Sequence, residues 1–226
     1  RQSAVMPRLP ARFPLTTAYY AALFSGQACF APALAIDRGY PLPGLPFDRI
    51  EEQLARPVEL LRRCLGVSCQ GVTAPYSHYR GLADRPDILA IIARHGMSYV
   101  RSYGRNSQDY FPLEWDVQPF WYARQGFPGL LETPMQGWID AQWRREHGWQ
   151  NWPAYHDYLK GRADEAAAGG RCWSHCQHDW TSTLYDEELT WTRRFLEYAA
   201  ERLEILTYYE FYQQMEQLRE PSQAGA

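Results

Sequence analysis

The chain has 226 residues, of which 46% are hydrophobic and 22% charged, with a formal net charge of −3. These values predict a globular α/β protein with one domain over residues 1–226, and they give no electrostatic reason to expect nucleic acid as a partner. The longest apolar stretch, around residues 18–36, is interrupted by Ser25, Gly26 and Gln27, so it falls short of the roughly 20 unbroken apolar residues of a membrane span. No signal peptide pattern is visible, and the sequence leaves the localisation open.

Helical and strand patterns alternate along the chain. A capping-box pattern at Asp48 and Glu51 precedes a helix over residues 51–66, in which Pro57 predicts a kink or a break. The next predicted elements are a strand at 69–75, a helix at 84–96 ended by Gly96, strands at 97–103 and 129–135, a helix at 151–170, a strand at 171–176, a helix at 186–203, a strand at 204–208 and a last helix capped by Thr207 and Glu210. This alternation predicts a parallel sheet covered by helices, with any chemistry at the carboxyl ends of the strands. Residues 103–128 form a long irregular stretch, which is typical of a functional cover.

The stretch CWSHCQHDW (172–180) concentrates cysteine and histidine. A local metal cluster is one interpretation. The favoured one is a strand at 171–176 followed by a single functional histidine, His178, because extended geometry places Cys172 and Cys176 on one side and His175 on the other. A Cys64–Cys69 disulfide is the alternative to free buried thiols, which we favour because an odd number of cysteines in a chain of this length is not a disulfide scaffold.

Polar residues follow several predicted strands, and each has a structural alternative. Tyr76 and His78 follow the strand at 69–75 as candidate substrate contacts, with a capped turn as the alternative. Arg101 is a candidate to hold a carboxylate, or a member of a surface ion pair. Glu132 and Asp140 are candidate bases, or structural partners of arginines. Eight of the nine tryptophans lie between residues 115 and 180, where they either line a ligand cleft or form an aromatic core layer.

Several phrases resemble motifs of the polysaccharide deacetylases, in the order in which that family carries them. They are GVTAPY (71–76), IIARHGMSYVRSY (91–103), PFWYARQGFPGLLETPMQGWID (119–140), CWSHCQHDW (172–180) and ILTYYEFYQQM (205–215). The resemblance covers residues from about 8 to 218 and includes the peptidoglycan deacetylase-like and allantoinase-like members. It implies an irregular (β/α) barrel of the seven-stranded type, here lacking the first strand, and removal of an N-acetyl group from an amino sugar with zinc as cofactor.

The sequence departs from the family at the metal site. It contains no Asp-Asp pair, Ile36 and Tyr40 stand where the resemblance would place two zinc-binding histidines, and Thr73 stands in place of an arginine. These side chains are not ordinary zinc ligands, so we expect no metal at the family's positions. The resemblance then leaves three alternatives: metal-free catalysis, as is thought to occur in some allantoinase-like members, catalysis by a different set of residues, or loss of catalysis.

The resemblance therefore implies a hydrolase of non-peptide C–N bonds in N-acyl amides of an amino-sugar-type substrate. His178 would be the acid or oxyanion donor, and Asp140 or Glu132 the base. The candidate substrate contacts are Tyr76, His78, Arg101, Trp138 and Trp180. The alternative is a catalytically inactive pseudoenzyme that binds a glycan or a protein through an aromatic cleft. The expected partner is a carbohydrate-like small molecule, and a homo-oligomer is compatible with the sequence.

Overall fold

The computed structural model describes residues 29–30 and 50–219, without the side chains at positions 29, 30, 53, 75 and 76. The predicted cap at Asp48, the apolar stretch at 18–36 apart from residues 29–30, and the departures at Ile36 and Tyr40 lie outside the described residues. Within the described part, no helix is both long enough and apolar enough to cross a membrane.

The described residues form seven α-helices, five strands and a short 3₁₀ turn at Ala123–Gln125. The helices are α1 (Ile50–Leu65), α2 (Pro86–Arg94), α3 (Asp140–His147), α4 (Trp152–Gly169), α5 (Asp179–Thr183), α6 (Thr190–Ala200) and α7 (Tyr208–Leu218). The strands are β1 (Cys29–Phe30), β2 (Gly71–Tyr79), β3 (Tyr99–Arg105), β4 (Phe120–Tyr122) and β5 (Phe127–Glu132).

The strands form one sheet in the order β1-β2-β3-β5-β4. The first four are parallel neighbours, with Gly71 opposite Tyr99 and Val100 opposite Glu132. Strand β4 is antiparallel to β5, with Phe120 opposite Glu132. The expectation of a (β/α) barrel of the seven-stranded type was therefore wrong: the described strands form an open, mostly parallel sheet and do not close into a barrel.

The sheet stops at β4 because that short strand occupies the edge of β5 where a further parallel strand would pair. The segment at 171–176, predicted as a strand, makes no ladder there, and glutamine side chains satisfy its backbone instead. Gln118 accepts a bond from the Cys172 N–H at 2.9 Å, and Gln136 accepts one from the Ser174 N–H at 2.9 Å. The strand predicted at 204–208 is also absent, since residues 204–207 are irregular and Tyr208 begins α7.

Other local predictions were confirmed. Helix α4 begins after Asn151, whose side chain accepts a hydrogen bond from the Ala154 N–H, and it ends where Gly170 adopts the left-handed conformation at φ 57°. Thr207 and Glu210 form the predicted capping box of α7. Helix α1, by contrast, runs through Pro57 without the break that was one of the two expected outcomes.

Two hydrophobic clusters hold the fold together. The first packs α1 and α2 against the sheet and includes Leu54, Val72, Ile88, Leu89, Ile92, Val100 and Leu130. The second is aromatic and joins α3, α4 and α6 through Trp143, Trp152, Tyr155, Leu159, Ala163, Phe195 and Ala199. Much of the tryptophan-rich region therefore forms a core layer. This second cluster fixes helix α3, which carries part of the candidate site.

Candidate functional site

Asp140 and His178 form a directly bonded pair. Asp140 is the first residue of α3 and is completely buried, and His178 is the N-cap residue of α5. The Nδ1 atom of His178 lies 2.7 Å from Oδ1 of Asp140, and the backbone N–H of His178 donates to Oδ2 at 2.6 Å. The carboxylate therefore fixes both the ring and the main chain of His178.

The Thr181 hydroxyl completes the surroundings of the Asp140 carboxylate. It donates to Oδ2 of Asp140 and lies one turn into α5, 3.0 Å from the carbonyl oxygen of His178. Burial by itself raises the pKa of Asp140, but the hydrogen bonds from His178 and Thr181 outweigh it and hold the pKa below its ordinary value. Asp140 is therefore an ionised, fully buried partner without access to solvent.

The other edge of the His178 ring is open. The side chain is 39% exposed, and no described residue bonds to Nε2, which lies on the far side of the ring from Asp140. The bond to the Asp140 carboxylate raises the pKa of His178, against the opposing effect of burial. An imidazole held by a buried carboxylate, with its second nitrogen free, can accept and donate a proton near neutral pH.

The partly buried guanidinium of Arg101 lies close enough to His178 to act on it electrostatically. Arg101, on β3, is 3.8 Å from the Met135 sulfur and 5.9 Å from the centre of the Tyr208 ring. The Cys176 thiol also interacts with Arg101, and the pKa of that thiol is raised because burial outweighs the attraction of the guanidinium. Arg101 thus contacts Met135, Tyr208 and Cys176, and no carboxylate of the described residues bonds to it.

A second histidine of the same segment was not predicted as a site residue. The Nε2 atom of His175 is 3.3 Å from the Tyr155 hydroxyl and 3.4 Å from Oε1 of Gln177. Burial lowers its pKa, so the ring is neutral near pH 7. The Gln177 amide continues to the Ser182 hydroxyl at 2.6 Å and so ties His175 to α5.

Glu132 lies in a network of its own at the end of β5. Its completely buried carboxylate accepts bonds from the backbone N–H groups of Ser102 and Tyr103, both at 2.8 Å, and from the hydroxyls of Ser102 and Tyr122, both at 2.6 Å. Burial raises its pKa, although these bonds oppose the shift. Four donors leave it little capacity to act as a base, and the contacts favour a structural role.

The predicted substrate contacts are distributed unevenly. Trp180 lies beside the pair, with its ring centre 5.8 Å from that of His178. Trp138 is partly buried between the aromatic cluster and a smaller cluster of Phe111, Met135 and Ile139, and His78 is 98% buried in β2. The side chain of Tyr76 lies outside the described part of the chain.

The favoured expectation of free thiols was confirmed for Cys64, Cys172 and Cys176 and was wrong for Cys69. Cys64 is a free thiol exposed on α1, while Cys69 is disulfide-bonded, so neither the Cys64–Cys69 bridge nor a free Cys69 is found. Cys172 and Cys176 are free. Among residues 29–30 and 50–219 there is no group of three histidine, cysteine or acidic side chains placed to hold a metal ion. The donor set in the described part therefore does not fit the zinc that the family resemblance implies.

A cleft of about 740 Å³ lies next to this site, and His178 does not line it. It is bounded by the irregular segment at 170–175, by α6 and by α7, and His175 lines it. We assign the chemistry to the Asp140–His178 pair, because volume alone does not supply a proton carrier.

A search of known protein families found no match to this chain, and a search of curated proteins found none either.

Proposed function

We propose that this protein hydrolyses N-acyl amide bonds of an amino-sugar-type substrate, with His178 as the catalytic histidine and Asp140 as its positioning residue. The observation that carries the proposal is the hydrogen bond between a fully buried carboxylate and Nδ1 of a histidine whose Nε2 edge is open. The sequence resemblance to polysaccharide deacetylases supports the substrate class. The exposed Trp180 beside His178 supports a substrate with a ring.

The chemistry needs two proton transfers. Neutral His178 takes a proton at Nε2 from a water molecule as that water attacks the acyl carbon. The resulting imidazolium then gives the proton to the leaving nitrogen as the C–N bond breaks, which yields a carboxylic acid and an amine. Asp140 holds the ring and stabilises the imidazolium, as the aspartate does in catalytic triads.

This assignment differs from the sequence expectation in the source of the base. Asp140 has no exposed surface, so it acts through His178 rather than on water. Its contribution is to keep the pKa of His178 above the ordinary value. A histidine with a pKa near the working pH suits both transfers, because each protonation state is then well populated. No step is assigned to a metal.

The test is acetate release from the tetramer of N-acetylglucosamine. His178→Ala should lower turnover at least about a hundredfold, the usual contribution of general acid–base catalysis, while the thermal midpoint stays close to that of the wild type. His156→Ala is the matched control, since His156 is also partly buried but lies on α4 away from Asp140, and it should keep its activity. Equal turnover in the His178→Ala variant would remove that residue from the mechanism. Tetramer binding without acetate release by the wild type would favour the pseudoenzyme.

A further inference from the structure

We propose that Trp149 and Trp180 form a ring-stacking subsite for a second sugar unit beside His178, and that the buried Arg144 is the positioning residue of that subsite. The inference rests on the proposed function and deepens it, because it specifies an oligosaccharide rather than a single amino sugar. It adds Arg144, which no sequence pattern indicated, and it selects Trp149 from the tryptophan-rich region.

Three rings lie in a row at the surface. The ring centre of Trp180 is 5.8 Å from that of His178 and 5.8 Å from that of Trp149, with interplanar angles of 41° and 39°. Trp180 is 51% exposed, and Trp149 is partly buried. A large indole that stays half exposed next to an open histidine is typical of a binding surface rather than of a core.

Arg144 supports the row of rings formed by His178, Trp180 and Trp149 from the protein interior. It is completely buried on α3 and donates to the carbonyl oxygen of Trp149 through Nε at 3.0 Å and through one terminal nitrogen. It also donates to the carbonyl oxygens of Thr181 and, at 3.1 Å, Leu184. The guanidinium carbon lies 4.3 Å from the centre of the Trp152 ring. One side chain therefore ties the turn that carries Trp149 to the helix that carries Trp180.

The same helix also positions the catalytic pair. Asp140 and Arg144 are one turn apart on α3 and project from the same side. Thr181 joins their two networks, because its hydroxyl donates to Asp140 and its carbonyl oxygen accepts from Arg144. The open histidine and the stacking pair thus have one common support.

Burying a guanidinium whose bonds go to carbonyl oxygens is costly. Within the described chain no carboxylate bonds directly to Arg144, and burial lowers its pKa. A methionine would fill the space without that cost, but the carbonyl oxygens of Trp149 and Thr181 would lose the bonds from Arg144, while that of Leu184 would keep the bond from the Trp152 indole. The retained charge is explained by the geometry that it imposes on the turn at Trp149 and on α5.

The chemistry of the row fits a carbohydrate. Indole faces are flat and apolar and suit the C–H face of a sugar ring, while the indole edge can still donate a hydrogen bond. With one unit at His178, the next unit of a linear oligosaccharide reaches the two indoles. A monosaccharide at His178 would leave Trp149 unused, so the subsite selects chains of at least two units.

The test is calorimetric binding of the N-acetylglucosamine tetramer and of the monosaccharide to the full chain, in a His178→Gln background that does not consume the ligand. Trp180→Ala and Trp149→Ala should each weaken tetramer binding about threefold to tenfold, and Trp149→Ala should leave monosaccharide binding unchanged. Trp191→Ala, at the start of α6 and away from the row, is the control and should change affinity less than about twofold. In the active background, Trp149→Ala should raise KM at constant kcat.

Arg144→Lys tests the positioning role. It should weaken tetramer binding as much as Trp149→Ala does, and the double variant should bind no worse than either single one, since both changes remove the same contact. If Arg144→Lys does not fold, the two tryptophan variants still decide whether the subsite exists.

The outcomes separate this inference from the proposed function. Tetramer binding that depends on both tryptophans supports the subsite even if no acetate is released, in which case only the proposed hydrolysis fails. Acetate release with unchanged KM in both variants overturns the subsite and leaves the hydrolysis intact. A wild type that does not bind the tetramer overturns the subsite.

Discussion

Glu132 and Asp140 are both completely buried carboxylates, yet their surroundings have opposite effects. Glu132 receives its hydrogen bonds from serine, tyrosine and backbone groups, and burial raises its pKa. Asp140 faces a histidine, and its pKa is held below the ordinary value. The comparison teaches that burial alone does not identify a functional carboxylate. What distinguishes Asp140 is a titratable partner that reaches solvent.

Asp140→Asn should have the largest effect on catalysis. The amide can no longer stabilise the imidazolium, so kcat should fall about a hundredfold or more. The substitution keeps the shape of the side chain, so the far-UV circular dichroism spectrum should match that of the wild type. An activity within threefold of the wild type would show that the two carboxylates do not differ in function.

Glu132→Gln should act on stability instead. The amide nitrogen would face the donors of Ser102 and Tyr122, so the free energy of unfolding should fall by about 2–3 kcal/mol. The kcat per folded molecule should stay within about twofold of the wild type, because the network does not reach His178. Urea denaturation monitored by tryptophan fluorescence gives the first quantity. A catalytic loss as large as that of Asp140→Asn would make Glu132 a functional carboxylate after all.

The smallest effect is the opposite pH dependence of the two groups. The pKa of Glu132 is raised in the folded state, so its contribution to stability declines as the pH rises above the ordinary value of 4.5. The pKa of Asp140 is lowered, so its contribution is present above 3.8 and is lost as the pH falls through the folded pKa. We therefore expect the difference in urea midpoint between the wild type and Glu132→Gln, measured from pH 3 to 8, to be more favourable to the wild type at acid pH than at neutral pH. Parallel curves for the two proteins would contradict the raised pKa.

The raised pKa of His178 adds a further pH dependence to the free energy of unfolding. Its contribution to stability is complete below the ordinary value of 6.5 and is lost as the pH rises through the folded pKa. Asp140→Asn should remove this slope, and Glu132→Gln should preserve it.

Local elements could be predicted from the sequence because their signals are local. The helix stops at Gly96 and Gly170 and the capping box at Thr207 depend on residues a few positions apart. The conformation of the segment at 171–176 depends instead on distant residues. Despite its strand-like pattern it does not pair with the sheet, because β4 occupies the sheet edge and the side chains of Gln118 and Gln136 bond to its backbone.

The candidate site divides in the same way. His178 and Asp140 could be selected as polar residues near predicted strand ends, but their pairing joins positions 38 residues apart and has no sequence signal. Arg144 lies five residues before Trp149, but its role depends on distant carbonyl groups, those of Thr181 in α5 and of Leu184 directly after it. Carbonyl acceptors belong to every residue type, so no pattern of side chains indicates them.

The most direct test of the account is the titration of the His178 ring by NMR in the wild type and in Asp140→Asn, with spectra assigned by the His178→Gln variant. The account predicts a pKa above 6.5 in the wild type and a lower value in Asp140→Asn. A pKa of His178 that is the same in both proteins would show that the buried carboxylate does not control the histidine, which would contradict the central claim.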